Sequence, residues 1–170
     1  MTKLKSMFSA LAILLLLGAC SSDSSDSYGG FDYSGKSTVD IYGTILGADK
    51  ETSQDWLGNN AIGVYAVRSG KELSDATAYD NRINIKYTSL STATQAKFVS
   101  AENNEAIQLK KGRLDIIAYA PYRADVKECK YPIDLADKID VLYANNVQNI
   151  RSGEDAELVF NHVLSQLVVQ

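Results

Sequence analysis

Cys20 carries the chemistry that this chain signals most clearly. It closes Leu17-Gly18-Ala19-Cys20, directly after the apolar run 11–17, with Lys3 and Lys5 ahead of that run. A basic start, a short apolar stretch and small residues before a cleavage point are the parts of a secretory signal. A cysteine at that point makes the motif a lipobox, whose thiol is acylated and becomes the mature N-terminus. The apolar run is too short to span a bilayer as a finished helix. An ordinary signal peptide or an uncleaved anchor is the other reading.

The remaining reactive side chains are few. His162 is the single histidine, so any Ser-His-Asp or Cys-His set must include it. Ser165 lies three residues on, and on a strand it faces the side opposite His162. No G-x-S-x-G elbow is present, so His162 is expected to be structural, hydrogen-bonded near the domain end. Cys129 is the one cysteine besides Cys20. With Cys20 acylated no internal disulfide can form, and Cys129 is expected as a lone thiol, half-buried in a strand near Tyr131. One histidine and one spare cysteine cannot make a zinc or iron set, so no metal or cofactor is expected. Glu154-Asp155 after Gly153 reads as a solvated turn; a glycosidase pair has no sequence spacing of its own. Trp56, the only tryptophan, is either packed in the core or at an edge, or a platform for a sugar. Lys50 is either a plain loop lysine or a processing site. The chain is not expected to be an enzyme.

These residues need a scaffold, and composition bounds it. Residues 1–19 hold two lysines and no acid, so their removal takes the formal charge from −4 to −6. Nothing basic is clustered, which argues against nucleic acid and against polybasic membrane docking. Ser21–Ser27 (SSDSSDS) buries nothing and reads as a solvated tether, with the linker character running to Ser37. Asp23 and Asp26 resemble the acidic tract that sends Bacteroidetes lipoproteins to the cell surface. The expected division is therefore a lipoprotein signal at 1–19, acylated Cys20 and a disordered tether at 20–37, and one domain at 38–170. About 130 residues suffice for a single core. Acyl chains on Cys20 would hold that domain to a membrane lipid surface, each buried methylene adding roughly 0.8 kcal/mol.

Within 38–170 the apolar pattern has period two. Val39, Ile41, Gly43 and Ile45 alternate with Asp40, Tyr42, Thr44 and Leu46, as in a half-buried strand. Gly58-Asn59-Asn60 is a turn after Trp56. Ile62–Val67 is apolar on both faces and reads as a central strand ended by Ser69-Gly70. Asn81–Thr88 alternates again, Phe98-Val99 is a short strand at best, and Ile107 and Leu109 lead to a turn at Lys111-Gly112. Leu114–Tyr122 is the strongest strand, ended by Pro121. Tyr131–Leu135, Val141–Ala144, Glu157–Phe160 and His162–Val169 complete the set, and Asp134–Asp140 has room for one helical turn. About eight to ten short strands with dense turn signals predict an all-β fold, a β-sandwich with little helix. Ile41, Ile62, Val64, Ile116, Ala118, Phe160 and Leu164 are the predicted core. Gln170 follows Leu167-Val168-Val169 without a cap or polar tail, so a further segment or domain is expected to belong with this one.

Several stretches taken in order resemble the fimbrillin family of Bacteroidales surface lipoproteins. They are the lipobox, Trp56 ahead of Ile62-Gly63-Val64-Tyr65, the strand 116–122 (IIAYAPY), 140–144 (DVLYA), and 158–167 (LVFNHVLSQL) with its Phe-x-His-x-Leu-Ser-x-Leu pattern. The resemblance covers residues 38–170 and the family's N-terminal domain. It implies a transthyretin-like β-sandwich, usually followed by a second one. It implies an outer-membrane, lipid-anchored protein of the cell surface, trimmed by a trypsin-like protease at a Lys or Arg, here Lys50. Other fimbrial subunits would be its partners, joined by strand exchange into fimbriae used for adhesion, with a host or bacterial surface molecule as possible ligand. The strand 39–46 would leave, opening a groove that a strand from the next subunit fills. As written, the chain is expected to accept a strand and not to donate one. The competing reading is a surface glycan-binding lipoprotein, which should show an exposed row of Trp or Tyr.

Overall fold

In the computed structural model the described residues are 37–163, apart from 48–51, 103–104, 135 and 137–138. All belong to the unit Tyr33–Gln170. They form eight strands: β1 Ile41–Leu46, β2 Ser53–Gln54, β3 Ala61–Arg68, β4 Ile85–Ser89, β5 Gln95–Ser100, β6 Leu114–Ala120, β7 Leu142–Ile150 and β8 Ala156–His162. Helix among the described residues is confined to short 3-10 turns such as Asp75–Thr77 and Tyr79–Asn81.

The all-β expectation holds, but the sheet is not two separately bonded layers. The strand order is β2-β1-β5-β4-β3-β6-β7-β8, and β1 also pairs with β8. The ring closes into a barrel-like sheet, with β2 added beside β1. Every pairing is antiparallel except β1 with β8. Closure satisfies the backbone groups that a sandwich leaves on its edge strands.

Alternation sets what faces inward. On β1, Ile41, Gly43 and Ile45 are buried and Tyr42, Thr44 and Leu46 are half-buried. The interior collects Ile41, Ile62, Val64, Ile116, Ala118 and Phe160 from four strands, each without measurable exposure, which bears out those six core positions. Leu164 lies outside the described residues. β3 is buried on both faces because the segment after β6 folds over its outer side. There the Tyr119 ring lies against Gly63, and its hydroxyl donates to Asn84 Oδ1 at 2.6 Å and accepts from the Arg123 N–H at 3.2 Å. Burial pushes the Tyr119 phenol up to about 12, outweighing these two bonds, which lower it.

Several expected boundaries move, for physical reasons. The alternation from Asn81 is interrupted: Asp80, Asn81 and Asn84 have φ of 51°, 53° and 51°, a run of left-handed backbone that breaks the regular extended path, so β4 starts at Ile85. Phe98-Val99 sits in a six-residue strand whose polar Gln95 and Lys97 face outward. β7 runs well past Ala144. Its buried residues step from Leu142 and Ala144 to Val147 and Ile150, because register shifts against β6 break the period of two. Residues 131–134 form no strand; Tyr131 is instead an edge-to-face partner of Tyr119, with centroids 5.1 Å apart. Val39 is buried but precedes β1, its N–H donating to Ile107 O at 2.9 Å. The stretches 134–140 and 162–169, each expected to form an element, lie partly outside the described residues.

Candidate functional site

β1 is held along both sides. Against β5 it runs antiparallel, with Ile41 opposite Phe98 and Gly43 opposite Ala96. Against β8 it runs parallel, with Gly43 opposite Leu158 and Ile45 opposite Phe160. β-Branched and aromatic residues favour this pleated, half-buried setting. Beneath the strand sits an aromatic floor. Trp56 meets Phe98 and Phe160 edge to face, with centroids 4.9 and 5.1 Å apart. The indole Nε1–H donates to the Gly43 carbonyl at 2.8 Å. On the outer side Lys97 pairs with Asp40 at 3.2 Å and lies over the Tyr42 ring, 5.7 Å from its centroid. Withdrawal of residues 39–46 would therefore break the ring, uncover three large rings, and leave β2, β5 and β8 with unpaired backbone groups.

The connection out of β1 is short. The Gly47 N–H donates to Thr52 O at 2.7 Å, and β2 turns back so that Gln54 pairs with Ile45. Lys50 lies between those points, outside the described residues, as does Cys20.

The other candidates resolve into structural roles. Trp56 is 2% exposed, so it serves as core and gives no platform for a sugar. His162 Nδ1 contacts the Asp140 carboxylate at 2.8 and 2.9 Å. That bond ties the end of β8 to the start of β7, while Ser165 lies outside the described residues. Cys129 is half-buried, as expected, but in a turn: Glu128 and Cys129 have φ of 50° and 56°. Its thiol donates to Asp75 Oδ1 at 3.5 Å. Burial, followed by the Asp75 contact and charge, pushes the thiol up to about 11, so the nucleophilic thiolate is scarce at neutral pH. Glu154 accepts the Arg151 N–H at 2.8 Å in the turn at Gly153, as a solvated turn should. No group of three His, Cys, Asp or Glu among the described residues could hold a metal ion.

Two features escaped sequence reasoning. Asn146 bridges β7 to β8 with both ends of its amide, donating to Glu157 O and accepting from the Val159 N–H, each at 2.8 Å. Gly43 is packed against aromatic rings on its inner side. A glycine inside an otherwise β-branched strand is the signal that could have pointed to such close approach.

The sequence profile of fimbrillin-like proteins matches residues 50–170, most of the domain just described. The chain belongs to the fimbrillin-like family. A relative from Bacteroides uniformis, named "Putative fimbrium subunit Fim1C", is 27% identical over 173 residues, which cover 97% of this chain and 54% of that protein. A crystal structure described as "a putative cell adhesion protein" from Bacteroides uniformis aligns with a TM-score of 0.56 and 25% identity. That alignment covers 75% of this fimbrillin-like chain and 47% of the other. The chain thus spans about half the length of these relatives.

Proposed function

We propose that this chain is a fimbrial subunit of the cell surface, a structural adhesion component rather than an enzyme. The observation that carries the reading is the fimbrillin-like match over residues 50–170, and the fimbrium-subunit and cell-adhesion names of its relatives support it. Assembly proceeds by strand exchange with other fimbrial subunits. The support is the placement of β1: a strand at the start of the domain, bonded on both sides, with a short connection leading out of it. A trypsin-like protease cuts at Lys50, and residues 39–46 then leave. Cys20 is acylated and anchors the precursor in outer-membrane lipid. A transthyretin-like sandwich, with the barrel-like ring flattened into two layers, belongs to the same reading.

In producing cells the chain is expected in the sheared surface fraction, in species larger than the monomer. Recovery only as a monomer would sink the assembly reading. Cys20→Ala is expected to leave uncleaved precursor and to abolish labelling by a fatty-acid probe; unchanged labelling would remove the anchor.

A further inference from the structure

The inward face of β1 has one position without a side chain. Gly43 lies between Ile41 and Ile45 on the buried side of the strand. A β-carbon at Gly43 would stand 2.9 Å from Phe98 Cε2, 3.1 Å from Phe160 Cε2 and 3.4 Å from Trp56 Cζ2. The first of these is closer than carbon atoms pack, so a ring would have to move. None can do so freely. Each ring is at most 2% exposed, and both phenylalanines are locked against Trp56. Trp56 is itself tied at two points, its backbone N–H donating to Ala93 O at 2.9 Å and its indole to Gly43 O at 2.8 Å. Gly43 is not among the positive-φ glycines. The restriction is therefore one of space, imposed by a filled core, and not one of backbone conformation.

The indole bond and the aromatic floor do different things to a strand in this place. The indole N–H reads a main-chain carbonyl, which any strand offers. The floor reads the side chain above it and leaves no volume for one. Resting on the strand-exchange reading, we propose that the seat of β1 is a glycine-selective strand site. The partner it fits is an extended segment of another subunit with the pattern apolar-x-Gly-x-apolar, the glycine lying over Trp56, Phe98 and Phe160. The flanking apolar residues take the seats of Ile41 and Ile45. Alternate residues occupy the half-exposed positions of Tyr42 and Thr44 and are free to vary. A strand lacking the glycine cannot escape by slipping one residue, because that turns its apolar face outward.

The chain is produced with the recognition sequence of a site-specific protease between Gly47 and Thr52, folded intact and then cleaved. It is offered an excess of labelled peptides with the sequence 38–47. The parent peptide is expected to replace β1, and a Thr44→Val peptide, altered on the outward face, is expected to match it. Gly43→Ala is expected to be retained less, and Gly43→Val at least about tenfold less, the size expected from overpacking a filled core. A Gly43→Val peptide retained as well as the parent would overturn the selectivity and leave strand exchange standing. A parent peptide that never enters would overturn both. The uncleaved chain supplies a readout free of exchange: Gly43→Val in it is expected to lower the urea midpoint while Thr44→Val does not, and an unchanged midpoint would overturn the packing on which the selectivity rests.

Discussion

At the scale of single residues, the interior is set by side chains with no room to relax. Phe160 has no measurable exposure and shares an edge-to-face contact with Trp56. Phe160→Ala removes a ring from a packed floor and is expected to cost about 2–5 kcal/mol, as is Ile116→Ala on β6. Urea unfolding followed by Trp56 fluorescence measures both; a loss under about 1 kcal/mol at Phe160 would contradict its place in the core. Cys129 makes the opposite kind of prediction. Its thiol is half-buried, hydrogen-bonded to Asp75 and shifted upward to about 11. Alkylation of the folded chain at pH 8 is expected to be slow, and fast once urea unfolds it, as read by mass. Equal rates in the two states would show the thiol to be open.

At the scale of elements, the irregular pairing of β6 with β7 has a visible cause. Asp115 on β6 accepts the Asn149 N–H at 2.8 Å, the Ser69 hydroxyl at 2.8 Å and the Gly70 N–H at 3.0 Å. One carboxylate thus ties the end of β3 to the bulged part of β7, where Asn149 has φ of 60°. Burial alone would raise the carboxyl's pKa, but these three bonds to the ionised form outweigh it and hold the group below its ordinary value. The sign follows from linkage: a depressed folded pKa contributes stability above the unfolded value, and that contribution is lost as pH falls through the folded one. Asp115→Asn is expected to cost about 1–3 kcal/mol at pH 7. The gap from the parent should shrink as the pH drops below the usual aspartate range. Urea midpoints at pH 7 and near pH 3 test this, and a gap independent of pH would mean that the charge is not what holds the bulge.

At the scale of the whole molecule, β1 is both a member of the ring and the place where it would open. Three ladders hold it, antiparallel with β2 and β5 and parallel with β8, and its inward residues Ile41 and Ile45, with Val39 just ahead, are buried. If Lys50 is a processing site, limited trypsin digestion of the folded chain should give a fragment whose N-terminal sequencing begins at Glu51. That fragment should aggregate unless a strand is supplied, because two bare edges and an aromatic floor are then exposed. Digestion that cuts other loops and spares Lys50 would make residues 39–46 a permanent strand. A far-UV spectrum dominated by strand, with little helix signal, is expected of the intact chain; a helical spectrum would reject the fold.

Period-two alternation at Val39–Ile45, the doubly apolar run at Ile62–Val67, the strand stopped at Pro121 and the short apolar run ending at Phe160 are enough to read an all-β domain and six of its core residues. Each depends only on neighbours along the chain, since a strand's side chains alternate whatever it pairs with. The lipobox reading at Cys20 and the processing-site reading at Lys50 likewise rest on local patterns, and both lie outside the described residues. What pairs with what is not local. The parallel contact of β1 with β8 joins residues more than a hundred positions apart, and no periodicity in either strand specifies it. The three-residue steps of β7 look irregular until Asp115 and Asn149 are brought together, and Gly43 looks like a weak point of a strand until three rings are packed beneath it. Those contacts arise only when the ring closes, because closure brings Trp56, Phe98 and Phe160 from three separate segments under one strand.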